Sequence, residues 1–387
     1  MNKSIVLLLA VSALFVSCGT DKGSSAIPVE NAESKMFLDD MTGGRTYLML
    51  DDSSLDAALG DIDEVMVDDG KLFILHSVVS TGFEYEENQE ISVFDMDGKF
   101  LNKIGQKGRA RNEYQNIRSW CLDTRRKEVV IVDASFTVFK RFSYDGKFVS
   151  SVSIDGYAPM WDVMFCNGNL YASMLLPNQV ADDIIELKDD GTFVPLLEAR
   201  ANMQDAGMFP QGGGIGPTHQ VLDPNLESFF HLRLFDNVLY RIHDSKAEAC
   251  GSFDFINSVE ENQKDIYSSG DLLNTRPAET IETNSKFIVK IYEVDGDRRL
   301  TGLDHYVYDK STKKCTRYNA EYNRDMGMIM NRFSIVGVMG DAIITIATPE
   351  GARYILENVS DIVPQSDIEK LKVLAERDNP ALIIHRP

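Results

Sequence analysis

The sequence is poor in the residues that usually carry catalysis or metal binding. Its 387 residues include six histidines, five cysteines and two tryptophans. The histidines occur singly and never at the spacing of metal ligands, which argues against zinc chemistry. Neither a Gly-x-Ser-x-Gly elbow nor a Walker-type phosphate loop is present in the sequence, so these hydrolase and nucleotide-binding motifs are excluded. The many Asp-Gly turns lack the twelve-residue pattern of a calcium loop and indicate hairpins instead.

Basic residues are also scarce, with 39 Lys and Arg against 60 Asp and Glu, for a formal net charge of −21. A chain with this charge is repelled by nucleic-acid phosphates and by anionic lipid surfaces. Nucleic acid is therefore excluded as an expected partner.

The N-terminus carries an apolar run of twelve residues, from Ile5 to Val16, after the basic start Met1-Asn2-Lys3. The run is too short to span a bilayer and is typical of a secretory signal. It ends in Phe15-Val16-Ser17-Cys18, which looks like a bacterial lipobox. We expect residues 1–17 to be a lipoprotein signal peptide and Cys18 to be lipidated. The protein would then be an outer-membrane lipoprotein of the cell envelope, with either a periplasmic or a surface orientation.

Residues 18–40 are polar and show no sustained periodicity, so they predict a flexible tether. The cysteines that follow the tether fall in strands of different repeats. Outer strands of adjacent blades diverge, so Cys250 and Cys315 would be too far apart for disulfide geometry, and we interpret all four residues as small buried side chains. They are Cys121, Cys166, Cys250 and Cys315.

The strongest pattern is a repeated hairpin. Residues 94–100 and 142–148 are similar segments 48 positions apart, and residues 187–193 form a fainter third copy. Each copy is a strand, a turn containing Asp-Gly and a second strand. Similarity at a fixed period indicates a repeat architecture rather than two β-sandwiches.

Extending the repeat in both directions predicts an all-β fold over residues 41–387. The prediction is a six-bladed β-propeller of four-stranded antiparallel blades, with a seven-bladed ring as a less favoured alternative. The last blade lacks one strand, and residues 45–50 have no partner, so we expect this N-terminal strand to close the ring.

Three further segments do not fit a blade. Ser366 and Glu369 form a capping-box pattern, which predicts a short helix over residues 368–377. Residues 260–281 are polar and predict a long surface insertion. The glycine-rich residues 208–217 are interpreted as a loop between blades.

The hairpin Asp97-Gly98-Lys99-Phe100, with Gly105-Gln106-Lys107-Gly108 and Asn112-Glu113-Tyr114 after it, resembles the NHL-type, TolB-like six-bladed propeller lipoproteins of Bacteroidota. Asp378-Asn379-Pro380 before the last strand is similar to the end of that family. Relatives usually read Gly-Pro-Gly before the Glu-Tyr pair, where this chain has Arg109-Ala110-Arg111-Asn112. The two guanidinium groups can recognise a carboxylate or a sulfate through paired hydrogen bonds.

In such a propeller this loop lies on one face, near the central funnel. The candidate ligand-binding residues are Arg109, Arg111, Tyr114, Trp120 and Trp161. Aromatic side chains beside polar groups suit sugars, and arginines suit acidic ligands. The alternative is that the tryptophans pack between blades and the arginines offset surface acidity.

A lipid anchor, a propeller and the lack of catalytic motifs favour a binding or scaffolding module for a glycan, peptide or protein partner. This function requires neither a catalytic residue nor a cofactor. The alternative is a calcium-dependent hydrolase or lyase of the lactonase-like propeller type, which rests on fold analogy alone.

Overall fold

In the computed structural model, the described residues form β-strands and two α-helices, so the fold is all-β. Within the residues described, no helix combines the length and apolarity needed to cross a bilayer. The structure describes residues 26–34, 37–77, 89–154, 159–174, 182–198, 219–233, 238–253, 277–294, 300–321, 335–358, 360 and 363–387.

The strands are numbered along the chain. They are β1 (Val29–Asn31), β2 (Arg45–Met49), β3 (Ile62–Asp68), β4 (Lys71–Ser77), β5 (Gln89–Asp95), β6 (Phe100–Lys103), β7 (Ser119–Asp123), β8 (Glu128–Val132), β9 (Val138–Ser143), β10 (Phe148–Ser153), β11 (Met160–Cys166), β12 (Asn169–Met174), β13 (Asp182–Leu187), β14 (Phe193–Glu198), β15 (His219–Leu222), β16 (Phe229–Leu232), β17 (Val238–His243), β18 (Lys246–Ser252), β19 (Pro277–Glu282), β20 (Lys286–Val294), β21 (Leu300–Asp309), β22 (Lys314–Glu321), β23 (Ile335–Met339), β24 (Ala342–Ala347) and β25 (Ala381–His385).

The described strands form five sheets, in which β15 joins the sheet of β19–β22 and β3 joins the sheet of β23–β25. For reference we divide the strands by chain order into six groups. Group 1 is β3–β6, group 2 is β7–β10, group 3 is β11–β14, group 4 is β15–β18, group 5 is β19–β22, and group 6 is β23–β25 together with β2. Neighbouring strands within a group pair antiparallel, except that β15 pairs in parallel with β19 of group 5. Strand β2 pairs with β25, as expected from the sequence, where residues 45–50 had no partner and the last group lacked one strand.

The three predicted hairpins are present, and glycine explains their turns. Gly98, Gly146 and Gly191 have φ values of 82°, 80° and 89°, a region that glycine occupies without strain. Each also lies against the backbone of the preceding strand group. A Cβ at these three positions would approach the carbonyl oxygens of Met49, Lys103 and Ser153 to 2.1–2.2 Å. The repeated glycine therefore serves both the turn and the packing of successive groups.

The hydrophobic core lies between successive groups rather than in one central layer. One cluster joins Met66 of group 1, Trp120 of group 2 and Val163 of group 3. Another joins Val65 of group 1 to Val336 of group 6. The sheets therefore pack face to face along the chain order.

The expected tether over residues 18–40 is wrong for its described part. Strand β1 pairs in parallel with β22, and the side chains of Ile27, Phe37 and Leu38 are buried. This segment also includes a short 3-10 helix, Phe37–Asp40. A polar composition resembles that of a linker, but three well-placed apolar residues are enough to attach the segment to the sheets. Cys18 lies outside the described residues.

Group 5 begins earlier than the sequence indicates. Pro277–Glu282 forms β19 rather than the end of an insertion, while residues 260–276 lie outside the described ranges. His219–Leu222 forms β15, which is a strand that the repeat does not predict. Residues 208–217 also lie outside the described ranges.

Two helices connect β24 to β25. Helix α1 spans Pro349–Asn358 and was not expected, and helix α2 spans Gln365–Ala375. The predicted helix is present as α2, but its proposed cap is wrong. The helix begins after Pro364, so Ser366 lies inside the first turn instead of capping it.

The cysteine prediction holds for three of the four thiols. Cys121, Cys166 and Cys315 are free and buried, whereas Cys250 is free and exposed on β18. The outer strand β18 has a largely exposed sequence, so its thiol faces solvent.

Candidate functional site

The candidate site is built at the start of the first strand of several groups. A β-bulge lies between Ile62 and Glu64 in β3, between Met160 and Asp162 in β11, and between Pro277 and Glu279 in β19. A bulge redirects the side chains around it and is common next to functional sites. In all three strands the residue after the bulge is an acid.

Asp162 connects three strand groups. Its Oδ1 accepts hydrogen bonds from the Ser119 hydroxyl of β7 and from the Val163 amide, the latter at 3.1 Å. Its Oδ2 accepts a hydrogen bond from the backbone N–H of Gln220 in β15 at 3.1 Å and lies 3.3 Å from His219 Nδ1. The carboxylate is therefore fully partnered by groups 2, 3 and 4, and it fixes one side of the His219 ring.

Glu64 lies on the other side of the same imidazole. The Trp120 indole N–H donates to Glu64 Oε2 at 2.6 Å, and His219 Nε2 lies 3.9 Å from that oxygen. The Glu64 side chain is 4% exposed, whereas that of His219 is 45% exposed. We call Glu64, Ser119, Trp120, Asp162 and His219 the His219 site.

The three titratable groups of the His219 site have very different proton affinities. Burial raises the pKa of Glu64 to about 8, against an opposing effect of the His219 charge. Desolvation alone would lower the pKa of His219, but the charge and hydrogen bond of Asp162 raise it to about 10. Burial also disfavours a charge on Asp162, yet His219, Ser119 and Gln220 together lower its pKa.

At neutral pH the His219 site therefore contains a neutral carboxylic acid, an imidazolium and a carboxylate. Groups whose environments separate their pKa values in this way are common at functional sites. The distance of 3.9 Å between His219 Nε2 and Glu64 is too long for a hydrogen bond. The gap is too narrow for an oxygen on the line between the two atoms, but a ligand oxygen beside the pair, on the exposed side of the ring, can accept a hydrogen bond from the imidazolium.

Metal binding has no support in the described part of the chain, where no group of three or more His, Cys, Asp or Glu side chains has the arrangement of a metal site. Asp162 and His219 pair with each other, and Glu64 accepts a hydrogen bond from the Trp120 indole N–H. The side chains of the His219 site can supply hydrogen bonds and a proton.

The structure places one of the predicted ligand-binding residues in this site. Trp120 is 2% exposed and holds Glu64 through its indole. Trp161 is half-buried at the bulge of β11, directly before Asp162. The packing alternative describes Trp120 better, because its ring lies in the core between groups.

The other three predicted residues lie in the connection between β6 and β7. Tyr114 is 2% exposed and packs edge-on against Phe142, with ring centroids 6.3 Å apart. Arg109 and Arg111 are exposed in the same loop. The loop is fixed by a bond from the Ala110 amide to the Glu113 carboxylate at 2.9 Å.

Sequence reasoning missed Glu64, Asp162 and His219. Each is a polar residue at the start of a strand, where a polar side chain usually faces solvent. The available signal was weak: Asp63 and Glu64 precede the apolar residues Val65 to Val67, and Asp162 directly follows a tryptophan. Their proximity depends on how the groups assemble.

A cavity of about 610 Å³ lies at the start of β3, where Ile62 lines it, and its lining includes no residue of the His219 site. Its lining comes from groups 1 and 6 and from the start of α1. The residues that give it polar character are Gly60, Asp61, Ser77, Thr348, Glu350 and Asp378.

Comparisons with known proteins give a family and a shared fold. A family model described as a domain of unknown function, DUF4934, matches residues 29–386. None of the curated proteins matches this chain. A solved structure of a candidate exported protein from Bacteroides fragilis is similar over 93% of this chain and 99% of its own, with a TM-score of 0.67 and 17% identity.

Two further solved structures are less similar. A DUF4221 member from Bacteroides vulgatus has a TM-score of 0.48 and 9% identity over 88% of this chain and 96% of its own. A candidate 6-phosphogluconolactonase from Bacteroides uniformis has a TM-score of 0.38 and 12% identity over 67% of this chain and 70% of its own. Scores this low carry no argument about function.

Proposed function

The chain belongs to the DUF4934 family, and we propose that it is a lipid-anchored, six-bladed β-propeller of the cell envelope that binds a glycan at the His219 site. The observation that carries the proposal is the half-exposed imidazolium, which a buried carboxylate holds in place beside a neutral acid.

Contacts between the first strands of the groups support a ring of six blades. Gly337 of β23 pairs with Val65 of β3, and β15 pairs with β19. Asp162 links β7, β11 and β15. These contacts join four of the six neighbouring pairs of first strands. The Trp120–Glu64 bond joins β7 to β3, and the core cluster that contains Ile281 and Val338 joins β19 to β23. The pattern favours the NHL-type, TolB-like architecture.

The turn glycines support the same ring from its outer side. Gly146 and Gly191 pack on the last strands of groups 1 and 2, namely β6 and β10. Gly98 packs in the same way on Met49 of β2. In this pattern β2 is the last strand of the blade that precedes group 1, as a ring closed by the N-terminal strand requires.

An envelope location follows from the signal and lipobox pattern that ends at Cys18. The Bacteroides fragilis structure, which shares the fold, is described as that of a candidate exported protein. We propose that Cys18 carries the lipid and that the mature chain is an outer-membrane lipoprotein.

The ligand is inferred from the charge and shape of the His219 site. The imidazolium and the Asp162 carboxylate balance each other, and Glu64 is neutral, so a ligand without net charge fits best. A hydroxyl group can accept from His219 and exchange a hydrogen bond with Glu64. The half-buried indole of Trp161 suits a sugar ring, since aromatic faces pack on apolar C–H surfaces beside polar groups.

The adjacent cavity gives the ligand room beyond one sugar ring. Its volume of about 610 Å³ lies within the range of about 300–1,000 Å³ typical of ligand sites. Ile62 of the same strand lines this cavity, two residues before Glu64. An oligosaccharide held at His219 can therefore extend along the start of β3.

The proposal is tested by glycan-array screening of the chain from residue 19 onward, followed by calorimetry with the best ligand. Loss of one hydrogen bond from a charged donor costs about 1.5–3 kcal/mol, so His219→Gln should weaken binding by about tenfold to a hundredfold. Trp161→Ala should weaken it as well. His243→Gln is the matched control, because His243 lies on β17 away from Asp162 and pairs with Glu248. Binding to no glycan, or equal binding by His219→Gln, would refute the proposed ligand.

A further inference from the structure

The N-terminal segment is attached to the outer strands of three successive groups. Ala26 bridges to Ser252 of β18, where the Ile27 amide also donates to the Ser252 carbonyl at 2.9 Å. Strand β1 then pairs with β22, with Val29 opposite Cys315. Further along the chain, β2 pairs with β25. The segment therefore runs along the outer edge from group 4 to group 6.

The attachment is supported by packing as well as by backbone bonds. Ile27 is 7% exposed and belongs to the core cluster that includes Phe230 and Phe253. Phe37 packs against His305 and Tyr318, with ring centroids 5.2 and 6.3 Å away. Ala26 is thus held at a fixed place on the outer edge of group 4.

The chain between the proposed lipid and this fixed place is short. Cys18 and Ala26 are eight residues apart, so their Cα atoms can be at most about 29 Å apart, even when the chain is fully extended. A compact domain of this size is about 50 Å across. The lipid therefore holds the edge formed by β18 and β22 close to the bilayer, while the opposite edge can lie far from it.

Basic side chains lie at this edge, each beside a carboxylate. Arg241 of β17 lies 3.0 Å from Glu248 of β18, and Lys314 of β22 lies 3.4 Å from Glu30 of β1. Exposed cations of this kind can also contact the phosphates of lipid headgroups.

We propose that the outer edge formed by β18 and β22 faces the lipid bilayer, with the axis of the strand ring parallel to the membrane plane. This inference rests on the proposed lipidation of Cys18 and on the proposed ring. In this orientation the His219 site opens sideways into the aqueous space of the envelope, so a soluble or surface-bound glycan can reach it without passing the membrane.

Energy transfer to a lipid-borne acceptor tests the orientation. The lipidated full chain is purified from membranes, labelled with a donor at its native Cys250, and reconstituted into phosphatidylethanolamine and phosphatidylglycerol vesicles that contain an acceptor lipid. The matched variant carries Val149→Cys with Cys250→Ser. Val149 is 48% exposed on β10 of group 2, which in a ring of six is opposite group 5 and two positions from group 4.

We expect transfer from position 250 to be several-fold more efficient than from position 149. Equal transfer from both positions would overturn the inference, because it would mean that the domain lies flat or tumbles. A Cys18→Ala chain should show no transfer from either position. If mass spectrometry shows that the wild-type chain carries no lipid, both the proposed anchor and this inference are refuted. If the chain is lipidated and transfer is equal from both positions, only the proposed orientation is refuted.

Discussion

Replacement of Glu64 by glutamine should stabilise the protein at neutral pH. The pKa of this buried carboxyl is raised from 4.5 to about 8, first because burial disfavours its charged form. The unfolded chain has an ionised Glu64 at pH 7, so folding must take up a proton there. Glutamine keeps the oxygen that accepts the Trp120 indole bond and has no proton to take up.

The expected magnitude follows from the pKa difference. Stability from Glu64 is fully present below its unfolded pKa of 4.5 and is lost as the pH rises towards about 8. The loss is about 1.4 kcal/mol for each pH unit. Glu64→Gln should therefore raise the free energy of unfolding by about 3 kcal/mol at pH 7 and by less than about 1 kcal/mol at pH 5, relative to the wild-type chain.

His219 has the opposite dependence and defines the best pH window. Its pKa is raised from 6.5 to about 10, so its contribution is complete below pH 6.5 and is lost only as the pH rises towards 10. Between pH 5 and 6.5 the difference between wild type and variant thus reports Glu64 alone, and it should grow by about 2 kcal/mol.

The assay is urea unfolding of both chains at pH 5, 5.75, 6.5 and 7. The exposed Glu357 on α1 provides the control variant Glu357→Gln, which should follow the wild type at every pH. A Glu64→Gln chain that is less stable than wild type at pH 7, or a difference that does not change with pH, would refute the reasoning. Residues that lower stability at neutral pH are often kept in a protein because its activity needs them.

Three further predictions concern other parts of the structure. Ile27→Ala should lower the free energy of unfolding by about 2–5 kcal/mol, because the Ile27 side chain is 7% exposed within a core cluster. A loss below about 0.5 kcal/mol, measured by urea unfolding, would mean that this segment is a flexible tether after all. Cys250 should react with a maleimide in the folded protein, with the other three described thiols reacting only after denaturation; mass spectrometry that finds two modified thiols in the native chain would contradict the burial. Asp162→Asn should lower the pKa of His219 towards 6.5, because the charge of Asp162 is the main cause that raises it, and an unchanged titration in the imidazole NMR spectrum would show that the pair does not form.

Local chemistry explains which parts of the fold could be predicted from the sequence. The hairpins with Gly98 and Gly146 could be predicted because Asp-Gly between two apolar strands is a strong signal for a hairpin turn. Strand β1 was not recognisable, since its polar sequence is stabilised by β22, near the other end of the chain. Strand β19 contains a proline and two glutamates and forms a strand because it lies between β15 and β20.

The candidate site was harder to predict because its geometry is not local. Trp120 and Trp161 could be selected as rare aromatic residues near strand starts. The acids that they accompany, Glu64 and Asp162, meet His219 only through the packing of three strand groups. The bulges that direct Glu64 and Asp162 leave no signature in composition or periodicity, so the residue that matters most, a single histidine, could not be distinguished from the other five.

The most direct test of the site is the protonation state of the His219 imidazole, read from its ¹⁵N NMR spectrum and assigned with a His219→Gln chain. We expect both ring nitrogens to be protonated at pH 7.5 and the titration midpoint to lie near 10, as the ion pair with Asp162 requires. Addition of the bound glycan should then shift the Nε2 resonance. A ring that loses its proton with a midpoint near 6.5 would contradict the charged, oriented imidazolium on which the proposed function depends.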